Sequence, residues 1–134
     1  MEAQRGFMTT QEYLIGDCLE LLPTIEDKSV SLIIADPPYN INKADWDNIP
    51  DYLNWSMEWI KECQRVLKDN GSMYIFHSEM PTIARLMNRI EDETDLIYKQ
   101  FITWNKRFYG AKNKGFLDGF IEVEDLRNYQ QMTE

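Results

Sequence analysis

A chain of 134 residues that is 43% apolar can bury one core and is too short for two full domains. Two cysteines (Cys18 and Cys63) inside periodic stretches, no Cys-x-x-Cys pair and a single histidine argue against a disulfide framework or a zinc site. The net charge of −9 argues against a surface built throughout for nucleic acid.

The charge is uneven, however. Residues 96–117 hold five basic side chains (Lys99, Lys106, Arg107, Lys112, Lys114) and no acid, which leaves the remainder at −14. A local basic patch on an acidic body fits phosphate contact at one face, and it equally fits a solvated lysine-rich loop. The N-terminus has no apolar signal core, and no run approaches the ~20 residues of a membrane span. A cytoplasmic protein with no membrane partner is the expectation.

In chain order, residues 1–10 show no periodicity. Tyr13-Leu-Ile-Gly-Asp17 predicts a short strand, and Cys18-Leu-Glu-Leu-Leu22 a helical turn capped by Asp17. Leu19, Leu22 and Ile25 form a small apolar stripe that Pro23 limits to about one turn. After the loop Glu26–Ser29, Val30-Ser-Leu-Ile-Ile-Ala35 predicts a buried, central parallel strand. Pro37 and Pro38 must end it, because neither can donate to a sheet ladder. Asp36 is then held at the carboxyl end of a strand, where open α/β sheets place their ligand crevice. Tyr39 follows on stiff backbone. A fixed acid and a flat ring suit a planar base bearing an amine; a strand followed by an ordinary proline turn accounts for the same residues.

Residues 40–48 form a polar loop containing Trp46. Pro50 and Asp51 open a long helix to about Lys68, with Leu53, Met57, Ile60, Cys63 and Leu67 on its apolar face and Gly71 as a left-handed cap. Ser72–His77 predicts a strand, Ser78–Pro81 the start of a helix with Ile83, Leu86, Met87 and Ile90 buried, and Leu96–Trp104 a further strand. Residues 120–132 are weakly helical and acidic. Trp46, Trp55 and Trp59 read as packing residues and His77 as structural. Strands alternating with helices predict an α/β fold with a parallel sheet.

Asp36-Pro37-Pro38-Tyr39, following an apolar strand, resembles the catalytic motif of S-adenosylmethionine-dependent amino-methyltransferases acting on DNA bases. Gly16-Asp-Cys-Leu-Glu-Leu-Leu22 followed by Asp36-Pro-Pro-Tyr-Asn-Ile41 is similar to the group whose catalytic half precedes its cofactor half. Phe101-Ile-Thr-Trp-Asn-Lys106 resembles that family's later strand and loop beside the target base. The resemblance covers most of residues 13–115. It implies a partial Rossmann-like methyltransferase sheet, with residues 1–104 as the catalytic part and 105–134 as the start of a target-recognition region. It also implies methyl transfer to the exocyclic amine of a flipped base in DNA, adenine N6 before cytosine N4.

An exocyclic amine is a poor nucleophile because its lone pair is delocalised into the ring. Acceptors at its N–H groups help the nitrogen pyramidalise, and Asp36 with a carbonyl of the Pro37–Pro38 turn supplies them. Asp36 also stands ready to take the proton. Tyr39 stacks on the flipped base, a contact worth about 1–3 kcal/mol. The resemblance places Asp17 and Cys18, with Asp36, beside the cofactor; a plain helix cap explains Asp17 as well. Trp104 and Lys106 border the base pocket, and Lys106, Arg107, Lys112 and Lys114 meet phosphates.

The family's Phe-x-Gly-x-Gly segment, where backbone approaches the methionine end of the cofactor, has no counterpart in these 134 residues. The expectation is therefore an enzyme half, truncated or split, with weak cofactor binding alone. A complementing chain carrying the glycine-rich half, or a second copy, is expected at an unpaired sheet edge. The alternative is a catalytically inactive relic or regulatory subunit that binds a partner methyltransferase or DNA. Methylation of RNA or of a protein amide is a third reading.

Overall fold

The computed structural model describes residues 9–105 and 126–133, with side chains through residue 103. A four-residue helix, α1 (Cys18–Leu21), runs into a 3-10 turn at Leu22–Thr24. Strand β1 (Val30–Ala35), a 3-10 turn at Asp45–Asp47, helix α2 (Tyr52–Val66) and strand β2 (Leu67–His77) follow. Helix α3 (Met80–Glu93), β3 (Ile97–Asn105) and β4 (Leu126–Thr133) complete the described elements.

The sheet order is β1-β2-β4-β3. β1 and β2 are parallel, so they need a crossover, and α2 provides it. β4 lies antiparallel between β2 and β3. The core sits between α2, α3 and one face of β2. Met57, Trp59, Ile60, Cys63 and Val66 of α2 are buried, as are Ile83, Leu86 and Ile90 of α3. They meet Leu67, Met73 and Ile75, which point to the same side of β2 by the period-two alternation of a strand. Each such fully buried side chain contributes about 1.5–3 kcal/mol. Arg65 ties the other end of α2 down: its guanidinium donates to the carbonyls of Leu22 and Ile25, at 2.8 and 2.9 Å, and pairs with Asp27 and Glu62.

Five expectations from sequence need correction. Residues 13–17 form no strand: they lie against no neighbouring strand among the described residues, and Tyr13 and Ile15 are 88% and 86% exposed. β1 is neither central nor fully buried. Among the described residues it pairs only with β2, and the helices cover one of its faces, so Leu32 and Ile34 stay 52% and 64% exposed. Gly71 does not cap α2. The helix ends at Val66, where the Leu67 N–H reaches back to the Cys63 and Gln64 carbonyls, and Gly71 is inside β2. Residues 126–133 are strand rather than helix, because the ladders of β2 and β3 supply partners that outweigh a weak helical preference. Trp46 is 68% exposed and is no packing residue; Trp55 and Trp59 do pack, with ring centroids 6.3 Å apart.

No helix among the described residues is long and apolar enough to cross a membrane.

Candidate active site

The site begins where β1 stops. Ala35 is the last strand residue, Asp36 is exposed, and Pro37, Pro38 and Tyr39 are half-buried. All peptide bonds described are trans. The Tyr39 hydroxyl donates to Asp36 Oδ1 at 2.5 Å. Its ring leans on the buried His77 ring, centroids 4.9 Å apart at 36°. The acid and the aromatic named from sequence are thus brought together, one at a strand end and one on a turn.

What holds them is a buried carboxylate that the sequence reading passed over. Asp47 is 1% exposed. Its Oδ1 accepts the Asn40 N–H at 2.8 Å, and its Oδ2 accepts those of Ile41 and Lys43, both at 3.1 Å. The Tyr39 N–H also favours its charged form. Asn40 and Asn42 adopt left-handed backbone (φ 59° and 57°), which turns successive N–H groups inward into a nest around an anion. Burial pushes the Asp47 pKa up, but the N–H groups of Lys43, Asn40, Ile41 and Tyr39 together outweigh it, and the net shift is downward. The Asn40 side chain closes the loop by accepting the Ile49 N–H at 2.7 Å.

A second support comes from the first residue of α2. The Tyr52 hydroxyl donates to the Pro38 carbonyl at 2.5 Å and lies 3.0 Å from His77 Nε2. His77 Nδ1 accepts the Glu79 N–H at 3.1 Å, so the proton of the neutral ring is on Nε2 and points at the Tyr52 oxygen. Burial lowers the His77 pKa to about 4, against a smaller upward pull from Asp47. Burial raises that of Tyr52 to about 12. Both groups are therefore neutral across the physiological range. With the Pro38 carbonyl engaged, the Pro37 carbonyl is the acceptor left on the turn; the Pro37–Pro38 peptide has no N–H.

Asp17 caps α1, with Oδ1 accepting the Leu19 N–H at 2.9 Å. Neither it nor the exposed Cys18 hydrogen-bonds to the Asp36–Tyr39 turn. Burial and the Asp17 charge raise the Cys18 pKa. The backbone of Trp104 pairs with Arg127 in the sheet. Lys106, Arg107, Lys112 and Lys114 lie outside the described residues. A shallow cleft lined by Asp27, Lys28, Lys61, Gln64, Arg65, Asp69 and Asp95 sits at the opposite end of β1 and is crossed by ion pairs.

Asp47 and Tyr52 were missed because neither belongs to a motif. The available signal was the loop itself: many backbone N–H groups between Asn40 and Ile49 need acceptors, and an acid inside that loop is the nearest source.

The DNA methylase family profile of the N6/N4 type matches residues 30–134. The chain is 34% identical over 111 residues to the type II methyltransferase M.HpaI of Haemophilus parainfluenzae, covering 79% of this chain and 35% of that protein. It is 38% identical over 125 residues to the DNA adenine methyltransferase YhdJ of Escherichia coli K12, covering 85% and 41%. It thus spans less than half the length of these relatives. Among solved structures, the cytosine-N4-specific PvuII DNA methyltransferase superposes with a TM-score of 0.66 at 22% identity, over 89% of this chain and 47% of that one. M1.HpyAVI in complex with S-adenosylmethionine superposes with a TM-score of 0.59 at 21% identity, over 89% and 52%; these likenesses establish the α/β methyltransferase fold. With the family profile running from the first residue of β1 to the last residue of the chain, the protein belongs to the N6/N4 DNA methylase family.

Proposed function

We propose that this chain carries the base-gripping part of a site-specific DNA amino-methyltransferase whose methyl donor is S-adenosylmethionine. The observation that carries the reading is the Asp36 carboxylate at the end of β1, bonded to the Tyr39 hydroxyl, on a turn whose Pro38 carbonyl and Asn40 N–H are held by Tyr52 and Asp47. Two acceptors on a rigid turn match the two N–H groups of an exocyclic amine. They favour the pyramidal, nucleophilic nitrogen and the positive charge that develops on it. S-adenosylmethionine supplies an electrophilic methyl on a sulfonium. Asp36 accepts one amine N–H, the Pro37 carbonyl the other, and Asp36 or water takes the proton lost from nitrogen. Tyr39, backed by His77, stacks on the base once it leaves the duplex. The Tyr39 hydroxyl donates to Asp36 Oδ1, so an amine that takes that oxygen replaces this contact.

Asp17 suits the cofactor's adenosine in part, since Oδ1 caps α1 while Oδ2 accepts no hydrogen bond among the described residues. Trp104, Lys106, Arg107, Lys112 and Lys114 are assigned to the DNA, within a recognition region that opens near residue 105. The Phe-x-Gly-x-Gly half is assigned to the remaining length seen in the relatives, in the same protein or a complementing chain. The β1 edge, with Leu32 and Ile34 exposed beside it, is where that half would add, a second copy of this chain being the competing occupant. The setting is cytoplasmic.

The test is incorporation of labelled methyl into DNA by this chain joined or mixed with a glycine-rich half, followed by digestion to nucleosides. Label in N6-methyladenine supports the reading, and label in N4-methylcytosine changes only the base. Retained DNA or partner binding with no incorporation would replace the reading with a non-catalytic role. The chain alone is expected to bind S-adenosylmethionine weakly by calorimetry.

A further inference from the structure

We propose that Tyr52 and Asp47 are positioning residues that clamp the two peptide units flanking Tyr39, Pro38–Tyr39 and Tyr39–Asn40, and that His77 holds Tyr52 in the donating state this requires. The inference rests on the reading above and adds to it the residues that set the angle of the amine-gripping turn.

Each of the two peptides is held by a hydrogen bond to a side chain from another element. The Pro38 carbonyl accepts from the Tyr52 hydroxyl at 2.5 Å. The Asn40 N–H donates to Asp47 Oδ1 at 2.8 Å. A peptide is planar, so each bond orients a whole unit, and the two bracket Tyr39. Before them lies the Pro37–Pro38 peptide, whose φ values the rings already restrict. Between them the Tyr39 side chain leans on His77. The clamp therefore sets the direction of the Pro37 carbonyl and the plane of the Tyr39 ring together.

Tyr52 can do this only as a donor to Pro38. Its oxygen is kept in the acceptor role toward His77 Nε2–H because His77 Nδ1 is already accepting from Glu79 N–H. The chain of bonds thus has one direction, from the Glu79 amide through His77 and Tyr52 to the Pro38 carbonyl. The clamping groups come from three separate elements: the 3-10 turn (Asp47), the start of α2 (Tyr52) and the end of β2 (His77). Asp47 and His77 are 1% exposed and Tyr52 is 7% exposed, so water does not compete readily for these bonds.

The test uses the complete methyltransferase carrying Tyr52→Phe. Tyr52→Phe keeps the ring and removes only the hydroxyl. Amide hydrogen exchange at Tyr39 and Asn40 is expected to rise about tenfold, the loss of one hydrogen bond, while central amides of α2 and β2 keep their protection. Turnover is expected to fall about tenfold or more, with KM for DNA and for S-adenosylmethionine within about twofold, as for an interaction that matters in the transition state. A merely structural role would lower protection throughout and leave kcat per folded molecule unchanged. Wild-type exchange at Tyr39, or wild-type kcat, in Tyr52→Phe overturns the proposal. If the wild-type protein transfers no methyl while the exchange results hold, the clamp stands and the methyltransferase reading falls.

Discussion

Asp47 shows how much one residue decides in this molecule. A carboxylate is buried only at high cost unless its oxygens are filled, and here backbone N–H groups fill both. Asp47→Ala leaves the backbone N–H groups of Asn40, Ile41 and Lys43 without that acceptor. At about 1–3 kcal/mol each, the variant should lose about 3 kcal/mol or more, read as a shifted urea midpoint. Asp47→Asn should be nearly as harmful, because its amide nitrogen must face an N–H donor where an oxygen now stands. His77 adds a pH dependence of definite sign. Its folded pKa, about 4, lies below the unfolded value, so the unfolded chain binds more protons between the two. The stabilisation is complete above pH ~6.5 and is lost as pH falls toward 4, amounting to about 3 kcal/mol in all. Asp47 extends the loss to lower pH, since its pKa is also depressed. Denaturation curves at pH 7.5, 5.5 and 4.5 check this, and His77→Gln should flatten the profile; equal slopes would contradict it.

At the scale of elements, legibility tracked local information. α2 and α3 were readable because their apolar spacing is helical: Met57, Ile60 and Cys63 of the expected α2 face and Ile83, Leu86 and Ile90 of the expected α3 face are buried, while Leu53 and Met87 are partly buried and Leu67 starts β2. The stop of β1 was readable from two prolines. Residues 126–133 were not, because their strand character comes from the neighbouring β2 and β3, which lie far away in sequence. Gly71 was misread for a related reason: glycine after a helix suggests a left-handed cap, whereas here it is a matter of space. A Cβ at residue 71 would lie 2.6 Å from Leu67 Cδ1 and 2.9 Å from the Lys68 carbonyl oxygen, and the carbonyl cannot move aside cheaply. Gly71→Ala should therefore cost about 1–3 kcal/mol through overpacking. The tryptophans divide the same way. Trp59→Ala should cost about 3–5 kcal/mol. Trp46→Ala, at an exposed position, should stay within about 0.5 kcal/mol by thermal or chemical denaturation. Asp36–Tyr39 was legible as a motif at the end of a strand, but its supports were not, since Asp47, Tyr52 and His77 converge only in three dimensions.

For the molecule as a whole, the described sheet ends on the strand that carries the acid. Among the described strands β1 has one partner; its outer face exposes Leu32 and Ile34, and Tyr13, Leu14 and Ile15 are exposed as well. Relatives that match this chain are more than twice its length. In the proposed function the acid, turn and ring form the amine-gripping side of a methyl transfer centre, where Asp36 acts on the target amine rather than on folding. The most direct measurement is single-turnover methyl transfer to DNA by the complete enzyme, wild type against Asp36→Asn, with S-adenosylmethionine affinity and thermal stability measured on the same samples. The rate is expected to fall by about 10²–10³-fold or more at unchanged stability, as for loss of one preorganised group at a developing charge. Transfer by Asp36→Asn within a few-fold of the wild-type rate would contradict it.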